Sequence, residues 1–456
     1  MQDADDFISD IQSQTPLREF LREAAGRQKT IVTRAPGRLD VMGGVGDYSG
    51  ALVAEATIAE AALIALQPRT DRLWRFWSLD ADPEQPGLRA QWPLDVFFDK
   101  HGLQDYAPVQ AELAGAAHAR WAAYLAGCVF VLMAEGFAPG LQTGANVLLR
   151  SSVPLGAGVS SSAAIEVAMM QALGVSRGLS LDGVSVARLA QITENKVVGA
   201  PCGIMDQVAS ALGVENSLLA ILCQPYEVQG THTWPADVRF FGINTNVAHS
   251  VGGEAYARAR VAAFMARRLL GADYLANAVL PAELEKRNAL LPQEIRGADF
   301  LRAYGETGDG VTRIGPNTVY PVRAAAEHGI QEHRRVVLFL KYLSRADGKT
   351  SLHAAGELMA QSHESYSRIG LGSPETDLLA VLAQEAGPDK GVYGAKITGG
   401  GSGGTVAFLT YGPDTEQTIQ NIAARYRQQT GLVPQIVEAG KSPGASAFGF
   451  RQLGDD

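Results

Sequence analysis

The sequence has few cysteines and few charges, and it contains no long apolar run. Its three cysteines, Cys128, Cys202 and Cys223, show no CxxC spacing, which argues against a disulfide framework or a zinc site. No uncharged apolar run approaches the roughly 20 residues that cross a bilayer, so no transmembrane helix is predicted. The acidic start MQDADDFISD is unlike a basic signal or transit peptide, and we therefore expect a cytoplasmic protein.

Basic clusters are also missing from the chain. Lys and Arg number 39 against 48 Asp and Glu, which gives a net charge of −9. This balance argues against nucleic acid or an anionic membrane as the main partner. Hydrophobic residues make up 46% of the 456 residues, which is enough for a large core and excludes a disordered chain. That length predicts two or three domains or one large two-lobed unit.

Glycine is abundant: the 50 glycines concentrate at 37–50, 156–158, 199–203 and 391–404. Each cluster flanks an apolar or β-branched run, which is typical of binding loops built from backbone. Hydrophobic periodicity predicts a mixture of helices and strands, hence an α+β protein. We place its two lobes at residues 1–230 and 231–456. The pattern also predicts one amphipathic helix up to about Gln28, a loop at residues 35–38 and a helix over 181–198, and it leaves residues 282–321 unassigned.

The first motif, VPLGAGVSSSAA, spans Val153–Ala164. A glycine loop that runs into a helix start presents unpaired backbone N–H groups at the positive end of the helix dipole, which favours a phosphate. The hydroxyls of Ser160, Ser161 and Ser162 add donors and a candidate Mg²⁺ ligand. The same pattern would also serve as a plain helix cap. Neither GK[ST] tripeptide, at 348–350 and 440–442, has the glycine five residues earlier that a Walker A loop requires.

The second motif is Glu194 followed by GAPCGIMDQ at residues 199–207. Asp206 comes just after a tight turn, where a carboxylate often serves only as a helix N-cap. Alternatively, Glu194 and Asp206 converge on one cleft, where one holds a metal and the other accepts a proton. The third motif, RAPGRLDVMGGVGDYSG at 34–50, is either a surface turn with a weak salt bridge or a site for a polyol and a developing oxyanion.

The fourth motif, KITGGGSGG at 396–404, is followed by the strand-like TVAFL. The dinucleotide fingerprint that it superficially matches requires a helix next, so a Rossmann site is not predicted. Two G-x-S-x-G matches, at 400–404 and 440–444, fit the nucleophile elbow of serine hydrolases. That fold needs a later histidine, but the last one is His363, and Pro443 lacks the N–H needed in the oxyanion hole.

Taken in their order along the chain, the four motifs resemble those of the GHMP small-molecule kinases, specifically the galactokinase branch. APGRLDVMGGVGDYSG is similar to that branch's N-terminal signature, VPLGAGVSSSAA to its phosphate loop, PCGIMDQ to its catalytic segment and VYGAKITGGGSGG to its C-terminal glycine motif. The resemblance extends from Ile31 to Phe450. It implies the two-lobed GHMP kinase fold, with an N-terminal lobe like ribosomal protein S5 domain 2, a ferredoxin-like C-terminal lobe, and ATP and sugar meeting between them.

The resemblance also implies roles for individual residues. Asp206 is the base near the sugar's anomeric hydroxyl, and Arg38 stabilises the resulting negative charge. Ser162 and Glu194 match the Mg²⁺ ligands. The remaining matches are an ATP site at Trp121, Gly156, Ala157, Gly158, Val159, Ser160 and Ser161, and sugar contacts at Asp47, Gly203 and Tyr256.

One departure from the galactokinase pattern bears on the substrate. Galactokinases have Glu-His where this chain has Gly44-Val45, and the resemblance implies that those side chains contact the 6-hydroxyl end of the sugar. L-arabinopyranose is galactopyranose without that CH₂OH. The stretches GRLDVMGGVGDYSG, ENKVVGAPCGIMDQ and SPGA are also closely similar to the kinase part of plant L-arabinokinases.

We therefore expect an ATP-dependent sugar 1-kinase that uses Mg²⁺, with L-arabinose as the first-choice substrate and D-galactose as the second. Another sugar, such as a uronic acid, and a non-catalytic sugar sensor are the remaining alternatives. Sensors related to galactokinase lose the Ser-Ala pair of the phosphate loop, whereas Ser162-Ala163 is intact here. The expected partners are the sugar and ATP, and the expected state is a monomer or weak dimer.

Overall fold

A computed structural model describes residues 1–26, 29–79, 89–116, 119–247, 253–280, 282, 284–345 and 349–453. Gln28 and Gly348, which the sequence analysis named, lie outside the described residues. Within these ranges the helices are α1 (Gln2–Ser13), α2 (Thr15–Arg22), α3 (Tyr106–Gly115), α4 (Arg120–Ala134), α5 (Ser161–Ser176), α6 (Gly183–Ile192), α7 (Met205–Leu212), α8 (Glu254–Leu270), α9 (Leu284–Leu290), α10 (Gly297–Tyr304), α11 (Val322–Arg345), α12 (Lys349–Arg368), α13 (Pro374–Ala386), α14 (Thr415–Thr430) and α15 (Ala445–Phe448).

The strands of the same ranges form two main sheets and two short pairs. They are β1 (Thr30–Met42), β2 (Leu52–Pro68), β3 (Leu73–Ser78), β4 (Arg89–Pro93), β5 (Phe98–Asp99), β6 (Gly102–Leu103), β7 (Ala145–Ser151), β8 (Ser217–Leu222), β9 (Glu227–Thr233), β10 (Val238–Asn244), β11 (Ile295–Arg296), β12 (Val319–Tyr320), β13 (Val392–Ile397), β14 (Thr405–Tyr411), β15 (Gln435–Glu438) and β16 (Arg451–Leu453).

The larger sheet runs in the order β16-β1-β2-β7-β3-β4, with β8 pairing β2 and β9 pairing β8. Helices α4 and α5 cover it, and their residues Phe130, Val131, Met169 and Leu173 are fully buried. A helix that is apolar on nearly every face is stable only inside a core, and α4 has that composition. This packing fixes the end of β7 and the start of α5, between which the glycine loop runs.

The smaller sheet is antiparallel in the order β13-β14-β10-β15. Its helices α12 and α13 contact β13, and α14 contacts β10 and α13. The strand β14 follows the glycine loop 399–404 directly, which confirms that this loop does not open a helix as a Rossmann site would. The two sheets make the α+β, two-lobed architecture that the sequence predicts.

The sheets change between Thr233 and Val238, so the lobe boundary predicted at residue 230 falls within strand β9. The chain end returns to the first lobe, where Leu453 of β16 pairs with Thr30 of β1. No helix in the described ranges has the length and apolarity that a membrane span requires.

Three local predictions are wrong. The amphipathic segment at the start forms two helices, because Gln14 has an extended backbone between them, and both helices pack on the large sheet. The predicted loop at 35–38 lies inside β1, which crosses Gly37 with an irregular register. The single α-helix predicted over 181–198 is α-helical only as far as Ile192. Residues Thr193–Val198 form a π-helical turn, a geometry frequent at functional sites.

Candidate active site

A cleft of about 280 Å³ opens between the phosphate loop, the turn before α7 and the glycine loop of the second lobe. It collects most of the residues that the sequence analysis singled out. The predicted residues that line it are Arg38, Val45, Asp47, Trp121, Gly156, Gly158, Ser160, Ser161, Ser162, Glu194, Gly203, Asp206 and Tyr256. Motifs that are far apart in the sequence thus meet in one cavity.

The phosphate loop ends in a strained residue at the start of α5. Ser160, the N-cap, has a φ of 64° and makes no side-chain cap hydrogen bond. The hydroxyl groups of Ser160 and Ser161 are buried, and neither has a hydrogen-bond partner in the described structure. Ser160 is thus the N-cap by position, but its hydroxyl does not make the hydrogen bond that a plain helix cap would make. Buried hydroxyls are costly unless a ligand, ion or water pairs with them. The helix N-terminus at this position favours an anion.

Arg38 of β1 and Asp206 of α7 form the polar centre of the cleft. Arg38 donates to Asp206 Oδ1 from Nη2 at 2.7 Å and from Nε at 3.0 Å, and its Nη1 donates to the Gly158 carbonyl at 2.7 Å. Burial tends to lower the pKa of Arg38, but the charges of Asp206, Glu55 and Asp40 raise it above its ordinary value. Arg38 therefore remains a cation.

The alternatives for these two residues are wrong. The side chain of Arg38 is 2% exposed, so it is not part of a surface turn. The N-cap of α7 is Ile204, and no side chain caps this helix, so Asp206 is not a cap. Its carboxylate, 22% exposed, faces the cleft, where it can accept a proton beside a fixed positive charge.

Glu194 lies on the π-helical turn and is held from two sides. Gln207 Nε2 donates to its Oε2 at 2.6 Å. Burial, reinforced by the charge of Asp206 and opposed by a hydrogen bond with Ser162, raises the pKa of Glu194 to about 7. Burial likewise raises the pKa of Glu166, with the charge of Glu194 adding to the effect. A divalent cation would relieve this crowding of carboxyl groups.

The donor set fits Mg²⁺. Proteins usually hold this ion with one or two carboxylates, while phosphate oxygens and waters complete its shell. Glu194 offers a carboxylate and Ser162 a hydroxyl, and both line the cleft next to the phosphate loop.

Glu194→Gln is expected to raise the Mg²⁺ concentration for half-maximal rate by about tenfold or more, since a neutral amide is a poorer ligand for a hard cation. The measurement is a Mg²⁺ titration of turnover at saturating nucleotide. Glu215→Gln, an exposed site in the same lobe, serves as the control. An unchanged Mg²⁺ requirement in Glu194→Gln would remove Glu194 from the metal shell.

The other end of the cleft is built around Asp47. This side chain is 3% exposed, and its Oδ1 accepts a hydrogen bond from the Tyr48 N–H at 2.8 Å. Burial raises the pKa of Asp47 to about 6, opposed by the Tyr48 N–H and reinforced by the charge of Asp206. A Cβ at position 203 would lie 1.6 Å from Asp47 Oδ2, so only glycine allows the turn before α7 to come this close.

Gly44 is in a different place from the one predicted. It does not line the cleft: a Cβ at this position would lie 2.0 Å from Asp40 Oδ2 and 2.1 Å from Tyr366 Oη. The volume that a side chain at 44 would occupy is therefore filled by these two residues. Val45 lines the cleft with a φ of 60°, which is strained for a β-branched residue. Of the pair, Val45 presents a side chain to the cleft.

Two residues of the predicted ATP site also do not line the cleft. Ala157 and Val159 are buried in the main hydrophobic core. The Ala157 carbonyl accepts a hydrogen bond from Thr405 Oγ1 at 2.7 Å, and the Val159 carbonyl accepts one from the Arg38 N–H at 3.1 Å. Their positions are explained by core packing and by these backbone contacts, which hold the loop in place.

The site includes residues that the sequence analysis did not assign. Tyr124, Cys202 and Met205 line the cleft as well. Tyr124 is three residues after Trp121 on α4, a spacing that places both on one face of the helix and could have identified it. Cys202 and Met205 flank Gly203 and Asp206 in the turn, so their proximity followed from the motif.

Comparisons with known proteins agree with this geometry. The model of the GHMP kinases N terminal domain matches residues 123–214 and that of the GHMP kinases C terminal domain matches 340–430. An L-arabinokinase of Arabidopsis thaliana is 38% identical across 95% of this chain and 48% of its own length. A galactokinase of Actinobacillus pleuropneumoniae serotype 3 (strain JL03) is 30% identical across 87% of this chain and 90% of its own length.

Solved structures show the same fold. The crystal structure of Lactococcus lactis galactokinase complexed with galactose has a TM-score of 0.72 at 21% identity, covering 96% of this chain and 98% of that one. Methanococcus jannaschii mevalonate kinase has a TM-score of 0.56 at 13% identity, covering 91% and 99%. The chain belongs to the GHMP kinase family, and it spans about half the length of its plant L-arabinokinase relative.

Proposed function

We propose that this chain is an ATP-dependent sugar kinase that phosphorylates the anomeric hydroxyl of a galactose-configured sugar, with L-arabinose as the preferred substrate. The observation that carries the proposal is the ion pair between the buried Arg38 and the partly exposed Asp206. It faces a cleft bounded by a helix N-terminus with two serine hydroxyls that have no partner among the described residues. Relatives named L-arabinokinase and galactokinase support the choice of substrate class.

In this proposal Asp206 accepts the proton of the sugar's anomeric hydroxyl. The anomeric oxygen attacks the γ-phosphorus of ATP, and ADP leaves. Arg38 offsets the negative charge that develops on the attacking oxygen. The N-terminus of α5 and the hydroxyls of Ser160 and Ser161 hold the phosphates, since phosphoryl transfer depends on in-line positioning and charge neutralisation. Bound Mg²⁺, held by Ser162 and Glu194, would neutralise phosphate charge.

The substrate preference rests on Val45. Its aliphatic side chain lines the cleft where galactokinases carry a histidine, so this wall offers no hydrogen bond to a 6-hydroxyl. L-arabinopyranose has no such group. Galactose is the second candidate, because the galactokinase relative aligns over 90% of its own length. Cytoplasmic location and a monomeric or weakly dimeric state stay predictions.

The experiment is turnover of L-arabinose with ATP, followed by ADP release, with the product analysed by ³¹P NMR. A sugar 1-kinase gives a phosphorus signal coupled to the anomeric proton. A product phosphorylated at another carbon would contradict the proposed position. Sugar binding without ADP release, across L-arabinose, D-galactose, D-fucose and D-galacturonate, would indicate a non-catalytic sensor.

Val45→His is expected to lower the ratio of kcat/KM for L-arabinose to that for D-galactose by about fivefold or more. A histidine can hydrogen-bond a buried hydroxyl, an interaction worth about 1–3 kcal/mol when its loss leaves the group unpaired, and histidine tolerates a positive φ better than valine. Val45→Ala, which adds space without a polar group, is the matched control. If both variants shift the ratio equally, space rather than hydrogen bonding sets the preference.

The glutamate of the galactokinase pattern cannot be restored in the same way. In this structure Gly44→Glu would place side-chain atoms on Asp40 and Tyr366. The substitution of Val45, whose side chain lines the cleft, is therefore the one chosen to test specificity.

A further inference from the structure

A buried ion pair joins α8 to the segment that the sequence left unassigned. Arg260 contacts Asp309 through two hydrogen bonds, from Nε at 2.8 Å and from Nη2 at 3.0 Å, and the two side chains are 6% and 3% exposed. Asp309 also accepts hydrogen bonds from the backbone N–H groups of Val311 and Thr312 and from the Thr312 hydroxyl. These contacts fix the carboxylate from several directions.

Both side chains of this pair remain ionised. Burial alone would raise the pKa of Asp309, but the hydrogen bonds and charge of Arg260 outweigh it and hold that pKa below its usual value. A guanidinium held by two parallel hydrogen bonds has its plane fixed as well as its position. Arg260 is therefore a rigid group and not a flexible surface cation.

Arg260 contacts the sugar end of the cleft from behind. Its Nη1 donates to the Cys202 carbonyl at 3.3 Å, immediately before Gly203. Its guanidinium lies 5.4 Å from the ring centroid of Tyr48, immediately after Asp47. Tyr256, one helical turn earlier on α8, has its ring 6.2 Å from that of Tyr48 at an interplanar angle of 85°.

Arg260 thus contacts the residues next to two of the predicted sugar contacts, Asp47 and Gly203. The third, Tyr256, packs against the same Tyr48 ring. The phosphate loop is held by other groups: the Gly158 carbonyl accepts from Arg38 and the Ala157 carbonyl from Thr405. The contacts of Arg260 given above are instead made to residues next to Asp47 and Gly203, at the proposed sugar end of the cleft.

We propose that Arg260, fixed by Asp309, is a positioning residue for the sugar, and that the segment around residue 309 contributes to sugar affinity by holding it. The proposal rests on the proposed function and deepens it. Loss of the bidentate contact would let Arg260 turn, and the Cys202-Gly203 turn and the Tyr48 ring would lose a common support.

The test compares Arg260→Lys and Asp309→Asn with Asp299→Asn, which removes an exposed ion pair with Arg302 in the same segment. The KM values for L-arabinose and for ATP are measured separately, with kcat, and L-arabinose affinity is measured without ATP by calorimetry. We expect Arg260→Lys and Asp309→Asn to raise the sugar KM and Kd at least about tenfold and to leave the ATP KM within about twofold. Asp299→Asn should match the wild type.

Arg260→Lys keeps the buried charge paired, so the test remains available if Asp309→Asn fails to fold. Equal losses for sugar and ATP would indicate a general structural role and overturn the proposal, as would an unchanged sugar KM. A wild-type protein that turns over no sugar would overturn the proposed function and this proposal with it. An active wild type whose sugar KM is unmoved in the variants would overturn this proposal alone.

Discussion

Asp206→Asn is expected to lower kcat about 10²–10⁴-fold, the range for loss of a positioned general base, while sugar binding and the fold persist. Asparagine retains an oxygen that can accept from Arg38, which contacts Asp206 Oδ1 at 2.7 and 3.0 Å. It cannot take up the proton of the attacking hydroxyl. The variant therefore separates the charge contact from proton transfer.

The measurement is single-turnover phosphorylation of L-arabinose together with the sugar Kd. Asp237→Asn, an exposed site, controls for a general effect of the substitution. A rate within a few-fold of the wild type would mean that Asp206 only orients Arg38.

Lys396→Met is expected to lower the free energy of unfolding by about 3–5 kcal/mol, the cost of breaking a buried ion pair by removing one partner. Lys396 Nζ lies 2.8 Å from Asp40 Oδ2, and both side chains are fully buried. Asp40 on β1 also lies directly opposite Glu55 on β2 in the antiparallel pairing of these strands. Without Lys396, the carboxyl groups of Asp40 and Glu55 would lie opposite each other with one neighbouring cation fewer. Like charges in opposite positions destabilise a sheet.

Urea denaturation of Lys396→Met and of the double variant Lys396→Met/Asp40→Asn measures this effect. The second substitution removes the unpaired charge and should restore a large part of the lost stability. Lys390→Met, at an exposed lysine of the same lobe, is the control. A loss below about 1 kcal/mol in Lys396→Met would place the pair among the weak ion pairs typical of surfaces.

Local signals in the sequence predicted the elements that carry the phosphate site. The loop before α5 and the strand after Gly404 both follow from short-range patterns, because the residue types that allow each conformation stand next to one another. The same holds for the turn that places Asp206 at the start of α7.

Local sequence patterns could not predict the features that depend on contacts between residues far apart in the chain. The sequence shows that Gly44 has no side chain, but Tyr366 fills that space from α12 in another part of the chain. Arg260 reads as one of several arginines on α8, and only the fold brings Asp309 to it. The continuation of β1 through Gly37 is equally non-local, since a Cβ there would lie 2.7 Å from the Val159 carbonyl.

The proposed preference of this sugar 1-kinase for L-arabinose is tested by the ratio of kcat/KM for L-arabinose to that for D-galactose. Both sugars are measured by ADP release with one preparation of the wild-type protein. An unpaired buried 6-hydroxyl costs about 1–3 kcal/mol, so the ratio should favour L-arabinose by roughly 5- to 150-fold. D-fucose, with a methyl in place of CH₂OH, should lie between them. A tenfold preference for D-galactose would contradict the proposed specificity. It would mean that a polar group elsewhere in the cleft, and not the apolar Val45 wall, meets the 6-hydroxyl.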